Sequence, residues 1–430
     1  MTKVAVVGLG KIGLPLAAQF AGKGLDVIGC DVAEEVVRSV NAGKAHIREE
    51  PGLEEAVAGV VKSGKLKATT DTAPAVAQAA VVVVIVPLMV GGDHAPDFSR
   101  IDRATEAIAR GLHPDTLVIY ETTLPVGTTR NRFGPMLERG SGLTPGAGFL
   151  LAFSPERLYA GRIFEDLRKY PKIVGGVDPR STEEAVEFYR SVLDAEVWPV
   201  ENAETAEFAK LAETTYRDVN IALANQLALY AASRDVNVRE AFKAANSQPY
   251  SHLHRQSIGV GGHCIPVYPH FLLRDAQDGE LSLVKDARET NDRMAEVGVR
   301  MLEERLGGLR GRRVLVLGAS YREDVKELAY STALPLIDRL HRAGAEVMLH
   351  DPLFQASEFG ALEADVVDLD ADQARSAEAV VVQAWHREFA GLDWKRFSNL
   401  AVVLDGRGAV DPQRVRDAGA TYIAIGVRAS

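Results

Sequence analysis

Cysteine is almost absent from this chain: Cys30 and Cys264 are the only two in 430 residues. So few thiols build no disulfide framework, which fits a reducing compartment such as the cytoplasm. Long apolar runs are missing as well. The most apolar stretch, 79–86, is far too short to span a bilayer and is closed by Pro87. Met1-Thr2-Lys3-Val4 leads straight into a strand pattern, so neither a membrane segment nor a signal peptide is expected. Positive charge is in deficit: 49 Lys and Arg against 59 Asp and Glu give a net charge of -10. That balance argues against a general nucleic-acid or membrane-surface binder, and an anionic ligand must be held by local basic groups and backbone N–H. Repeats of solenoid period and low-complexity tracts are missing, and no metal site is expected. What is present is a globular composition, 47% hydrophobic and 25% charged, with chain enough for two or three domains.

Residues 1–200 read as a dinucleotide-binding domain. An apolar, β-branched run over 3–7 is followed by Gly8-Leu9-Gly10-Lys11-Ile12-Gly13 and a helix-like stretch over 14–23. In this G-x-G-x-x-G pattern Gly8 makes the tight turn, Gly10 lets a pyrophosphate approach, and Gly13 lets the helix pack on the strand, with the helix N-terminus toward the phosphates. A lone match is weak, but here a second strand over 26–30 ends at Asp31. A carboxylate there accepts hydrogen bonds from the ribose hydroxyls and repels a 2′-phosphate, so NAD is expected rather than NADP. Cys30, inside that strand, reads as an inert core thiol.

Strand-like runs at 80–86, 116–120, 149–153 and 172–174, with helical stretches such as 101–111 between them, suit a parallel sheet buried on both faces. Ligands bind at the carboxyl ends of such strands. Three polar segments sit there: the residues from Pro87 onward, Glu121-Thr122-Thr123-Leu124-Pro125-Val126-Gly127-Thr128-Thr129, and Ser154-Pro155-Glu156-Arg157. The threonines can position water or a sugar hydroxyl; the bland alternative is an ordinary turn before a helix. Glu156 is a candidate general base, or else a carboxylate at a helix start.

Residues 203–234 read as one long helix without Gly or Pro, long enough to link two domains and carry a subunit interface. Lys210, Thr214, Arg217 and Ile221 share a face of it. Lys210 is either a solvated edge or an ammonium aimed at a developing oxyanion. Downstream lies Gly261-Gly262-His263-Cys264-Ile265-Pro266. Such a stretch cannot run on as a helix, and its thiol is a candidate nucleophile, more reactive as the thiolate. The bland alternative is a small buried hydrophobe in a tight turn. Residues 281–306 look helical again.

After a glycine- and arginine-rich break over 307–313, strand-like runs at 313–317, 346–350, 379–382, 401–404 and 422–425 alternate with helical segments, including 332–343. This is a second α/β domain. Its first turn, Gly318-Ala319-Ser320-Tyr321-Arg322, lacks the full glycine fingerprint, so no second dinucleotide is expected. Arg322 and Arg407 follow strand ends and can each hold a diphosphate, or be surface arginines.

These pieces in this order resemble the UDP-glucose/GDP-mannose 6-dehydrogenase family, over essentially the whole chain. The most specific part is Gly261-Gly262-His263-Cys264, downstream of Ala206-Glu207-Phe208-Ala209-Lys210 and Ser154-Pro155-Glu156; residues 208–225 look most like the branch acting on UDP-N-acetylmannosamine. The resemblance implies an α/β fold: two Rossmann-like doubly wound domains joined by a long central helix, with an NAD domain over 1–200, a helical dimerisation segment over 201–306 and a nucleotide-sugar domain over 307–430. It implies a cytoplasmic homodimer, with no nucleic acid or membrane partner, that oxidises the C6 alcohol of a nucleotide-activated hexose to a carboxylate with two NAD per sugar.

Carried onto this sequence, the resemblance makes Cys264 the nucleophile that traps the aldehyde as a thiohemiacetal and then a thioester. Glu156 would help activate the hydrolytic water, Lys210 would stabilise the oxyanion, and Thr123 would order water beside the cofactor. Gly8, Gly10, Lys11, Ile12, Gly13, Asp31 and Thr123 form the cofactor set. Glu156, Arg157, Lys210, Tyr250, Arg255, Gly261, Arg322 and Arg407 form the substrate set. Four positions depart from the family pattern: Thr214 replaces its usual Asn, Tyr268 its Asp and Ala329 an arginine, and Tyr250 stands where the mannosamine branch carries an arginine, with Arg255 the candidate substitute. Thr214 and Tyr268 stay in the catalytic set, as polar groups that are neutral at pH 7. These departures weaken the assignment to mannosamine, and the Ala- and Arg-rich composition suits an antibiotic-pathway source, so UDP- or dTDP-glucose is the expected substrate, in surface-polysaccharide or antibiotic sugar synthesis. The alternatives are UDP-N-acetylmannosamine or UDP-N-acetylglucosamine as substrate, a single-step β-hydroxyacid dehydrogenase that does not need Cys264, and an NAD-binding sensor whose catalytic site has decayed.

Overall fold

The structure is a computed structural model that describes residues 2–159, 161–360 and 362–427. The chain divides into two compact units, Met1–Glu213 and Thr214–Ser430. The first is built on strands β1 Lys3–Val7, β2 Asp26–Cys30, β3 Leu66–Thr69, β4 Val81–Val84, β5 Leu117–Tyr120, β6 Leu150–Phe153, β7 Lys172–Gly176 and β8 Val197–Pro199. They lie in the order β8-β7-β6-β5-β4-β1-β2-β3. Within it, β3-β2-β1-β4-β5-β6 is the doubly wound order of a dinucleotide-binding sheet. The side chains of β1 explain why this sheet is covered on both faces. Val4 and Val6 join one core with Leu14 and Phe20 of the helix Gly13–Gly22; Ala5 and Val7 join the other with Ile101 and Ile108 of the helix Ser99–Gly111.

Two strands, β7 and its parallel neighbour β8, run against the rest of the parallel sheet expected of the sequence. β7 runs antiparallel to β6, with Ala152 opposite Gly176 and Phe153 opposite Gly175. The connection between them is a loop and one short helix, Ile163–Lys169, and it returns the chain beside β6 in the opposite direction. The antiparallel turn brings the residues after β6 alongside the start of β7.

The second unit carries β9 Arg313–Leu317, β10 Glu346–His350, β11 Asp365–Val366, β12 Ala379–Val382, β13 Val402–Asp405 and β14 Thr421–Ala424, in the order β11-β10-β9-β12-β13-β14. The winding is that of the first sheet, all parallel. Val314 and Val316 face one core, Leu315 and Leu317 the other.

The long helix Ala203–Ala232 has 30 residues, about 45 Å at 1.5 Å per residue, and the division between the units falls inside it. The single helix expected over 281–306 is two, Ser282–Asp292 and Met294–Leu306. Asn291 and Asp292, which favour helix ends over interiors, close the first. Among the described residues no helix is long and apolar enough to cross a membrane.

Candidate active site

In the first unit the glycine turn after β1 has the shape a dinucleotide needs. Gly8 has φ +96°, and a Cβ on Gly13 would lie 1.8 Å from the Gly8 carbonyl, so only glycine lets the helix start there. A Cβ on Gly10 would meet nothing within 4 Å: this face of the turn is open to a ligand. Lys11 is exposed and Ile12 half-buried beside it. Asp31, at the end of β2, accepts from the Leu9 amide at 2.9 Å and from Ala33 at 2.9 Å. Cys30 is buried, and burial pushes its thiol up to about 12.

Thr123 follows β5 and Glu156 follows β6, at the carboxyl ends of two paired strands, and the Lys210 charge acts on Glu156. Thr123 is buried, and the turn that follows it is tied to the long helix by Glu207, which is fully buried. Its carboxylate accepts from the amides of Gly127 at 2.5 Å and Thr129 at 2.8 Å, and from the Thr129 hydroxyl at 2.7 Å. Burial raises Glu207 to about 7 against those bonds. Lys210 lies one turn further along the same helix and is itself buried. Glu156 receives the Leu158 amide. Burial raises its carboxyl above the usual range, with Lys210 the strongest of the groups opposing the rise. Arg157 is occupied by Glu213 at 3.0 Å and the Pro171 carbonyl at 3.4 Å. Two further carboxylates hold the loop after Glu156: Glu50 accepts from the amides of Gly161 and Ile163, and Asp166 from Tyr159.

In the second unit the cysteine loop is pinned along the carboxyl edge of the sheet. The Ser257 amide donates to Asn225 Oδ1 at 2.8 Å, Ile258 N to the Gly406 carbonyl at 2.8 Å, and Gly262 N to the Ala329 carbonyl at 2.9 Å. Asn225 in turn donates to Asn291, and Asn291 to Asp218, which is paired with Arg288; all four are buried. His263 lies 3.3 Å from Glu327. A Cβ on Gly261 would lie 2.8 Å from both Tyr321 Cβ and the Tyr330 carbonyl, so the loop's glycines allow the close approach. Cys264 is half-buried, and its carbonyl receives the amides of Val267 and Tyr268, which turns the chain into the helix Pro269–Asp275.

Tyr268 is half-buried against Phe271, and Thr214 is buried on the long helix. Tyr250 is 89% exposed in a turn after the helix Val238–Ala245, and Arg255 is exposed as well. Arg322 donates to the Tyr321 hydroxyl at 3.1 Å. Arg407 does more than the free phosphate clamp expected of it: it donates to the backbone carbonyls of Gln383, Gly259 and Tyr321. Of a guanidinium's five N–H groups, these three bonds leave two for a ligand. Burial lowers Arg407 to about 10.

The first turn of the second sheet repeats that of the first up to the point where a dinucleotide would enter. Gly318 N donates to His350 O and Ala319 N to Asp351, as Gly8 N does to Cys30 O and Leu9 N to Asp31. Asp351, however, also holds Ser320 and the buried His386. Burial opposes its charge, yet those bonds pull it down to about 2. Its acceptor sites are filled from within, consistent with the missing fingerprint. Sequence reasoning assigned no role to Glu207, Glu50, Asp166, Asp351 or the pair Glu121–Lys172. Each is a buried charge, all but Asp166 bind partners distant in sequence, and only the position of Glu121 at the head of the threonine segment hinted at one of them.

Comparisons with known proteins agree along the chain. Three models of the UDP-glucose/GDP-mannose dehydrogenase family match in order: the NAD binding domain over residues 2–193, the central domain over 204–293 and the UDP binding domain over 315–412. A UDP-N-acetyl-D-mannosamine dehydrogenase of Pyrococcus horikoshii is 36% identical over 415 residues, 95% of this chain and 96% of that protein. The solved structure of a UDP-D-ManNAc dehydrogenase from Pyrococcus horikoshii superposes with a TM-score of 0.90 at 35% identity, covering 99% of both chains. A UDP-glucose dehydrogenase from Pyrobaculum islandicum gives a TM-score of 0.87 at 29% identity, covering 99% of this chain and 98% of that one.

Proposed function

The chain belongs to the UDP-glucose/GDP-mannose dehydrogenase family, and from that premise we propose that it oxidises the C6 alcohol of UDP-N-acetylmannosamine to the uronic acid. That it is an NAD-dependent nucleotide-sugar dehydrogenase follows from the family. The sugar is the further step, and the observation that carries it is the 36% identity to a UDP-N-acetyl-D-mannosamine dehydrogenase across 95% of the chain. This likeness favours the N-acetylated sugar over the UDP- or dTDP-glucose expected from the sequence. Glucose stays as the second reading, supported by the exposed Tyr250 in place of the mannosamine branch's arginine and by the Pyrobaculum islandicum structure. The β-hydroxyacid and sensor readings fall behind both.

The residues present fit NAD: an open glycine turn, a helix N-terminus and Asp31. When bound, the cofactor accepts a hydride from C6 in each of two oxidations. Cys264 attacks the aldehyde of the first, so that a C–S bond forms and the product stays on the protein. After the second oxidation Glu156 takes a proton from the water that attacks the thioester; the C–S bond breaks and the thiolate leaves. The Lys210 ammonium stabilises the oxygen that becomes negative at each addition, and Thr123 orders the water. Thr214 and Tyr268 supply neutral hydroxyls where the family has Asn and Asp. In the second unit, Arg322 and the two remaining N–H groups of Arg407 hold the diphosphate. Residues 201–306 serve as the dimerisation segment of a homodimer.

Initial rates with UDP-N-acetylmannosamine, UDP-N-acetylglucosamine, UDP-glucose and dTDP-glucose test the sugar. The expected outcome is a kcat/KM for UDP-N-acetylmannosamine at least about 10-fold above the others, as a hydrogen-bonded acetamido group gives. Equal or faster turnover of either glucose nucleotide contradicts it.

A further inference from the structure

The first unit holds a buried ion pair that the chemistry above does not use. Glu121, fully buried at the end of β5, receives Lys172 Nζ at 2.7 Å; Lys172, at the start of β7, is nearly as buried. Tyr189, fully buried, donates its hydroxyl to Glu121, and the Lys172 ammonium lies 4.8 Å from its ring centroid. A buried ion pair is weak support for stability, since well-packed apolar residues in its place are often neutral or better. Its position is more informative than its strength. Glu121 lies two residues before Thr123, and the antiparallel pairing of β6 with β7, Ala152 opposite Gly176 and Phe153 opposite Gly175, leads the loop that carries Glu156 back along the start of β7, where Lys172 lies. Two side-chain bonds tie that loop to the residues on either side of Lys172: Ser154 Oγ to the Ile173 carbonyl at 2.7 Å, and Arg157 Nη1 to the Pro171 carbonyl at 3.4 Å.

We propose that Lys172, held by Glu121 and Tyr189, is a positioning residue for Glu156: a fixed cation beneath the base loop that favours the carboxylate form and so sets the lower pH limit of thioester hydrolysis. Lys172 takes no proton itself. The proposal rests on the reading of Glu156 as the base. The charges acting on Glu156 come from three elements: Lys210 on the long helix and Lys172 on β7 stabilise its ionised form, and Glu121 after β5 opposes it. The two members of the pair therefore act on Glu156 with opposite sign.

The test is the pH profile of kcat with the nucleotide sugar, which reports the groups of the bound enzyme through thioester hydrolysis. Lys172→Met removes a cation, so the acid limb moves to higher pH, by on the order of one unit. Glu121→Gln removes an anion and moves the same limb to lower pH. Lys172→Arg keeps the charge and restores the wild-type limb. Should Lys172→Met fail to fold with Glu121 left unpaired, the double variant Glu121→Gln, Lys172→Met takes its place, with a limb above that of Glu121→Gln alone. Loss of rate in these variants without displacement of the limb, or displacement in one common direction, overturns the proposal. Glu156→Gln separates the two levels: if the acid limb persists in it, the limb belongs to another group and the base reading falls together with the proposal. If it disappears while Lys172→Met and Glu121→Gln leave the limb in place, only the role of Lys172 falls.

Discussion

Asp31 engages both carboxylate oxygens with backbone amides, one to Leu9 and one to Ala33. This holds the acid at the edge of the cofactor turn while leaving lone pairs for ribose. A 2′-phosphate brought there meets a fixed negative charge. Replacing it, as Asp31→Asn, is expected to lower the preference for NAD over NADP by at least about 10-fold in kcat/KM, measured with both cofactors at saturating sugar. Gly261 gives a second prediction. Its missing side chain is what lets Tyr321 and the Tyr330 carbonyl close on the loop, so Gly261→Ala forces a shift that costs roughly 1–3 kcal/mol. Thermal unfolding at a lower Tm and slower turnover are expected together; unchanged Tm and rate contradict the packing argument. Single residues were legible in the sequence where a local pattern dictates them, as at Gly8, Gly13, Asp31 and the glycines before Cys264. Glu207 was not legible as an anchor: its partners at Gly127 and Thr129 lie some 80 positions away, and no local pattern encodes such a bond.

At the scale of elements the long helix is the informative one. It was legible because 30 residues without Gly or Pro leave few alternatives. Its surface is more telling than its length: Tyr216, Leu223, Leu227 and Tyr230 are all large, apolar and exposed, and at helical spacing they fall along one stripe. Such a stripe is uncommon on a monomer, and the proposed homodimer covers it with the same stripe of a second copy. Leu223→Asp places a charge in that face and is expected to convert the protein to monomer in sedimentation velocity, with the wild type sedimenting as a dimer. A monomeric wild type contradicts the proposal. The antiparallel β7 was not legible, since strand direction depends on how the intervening chain returns and not on the strand's own composition. The short edge strands were not legible either: β3 mixes polar and apolar side chains, and β8 is three residues ending in Pro199.

At the scale of the molecule, the sequence shows two sheets of the same winding put to different uses. Each starts from a glycine turn whose next amide donates to an aspartate at the end of the second strand. In the first the turn stays open for a dinucleotide; in the second Ser320 and His386 fill the acid's remaining positions, and the edge instead grips the thiol loop through Ala329, Gly406 and Arg407. The order of domains was legible because each begins with its own strand–glycine–helix signal. The sugar was not, because four departures from the family pattern pointed one way and the likeness of the whole chain points the other. The proposed mechanism uses this thiol to keep the aldehyde on the protein between two oxidations. The most direct test is therefore the amount of NADH formed per UDP-N-acetylmannosamine consumed to completion. The account predicts two, with the uronic acid as product and no free aldehyde. One NADH per sugar, with aldehyde released, would contradict it.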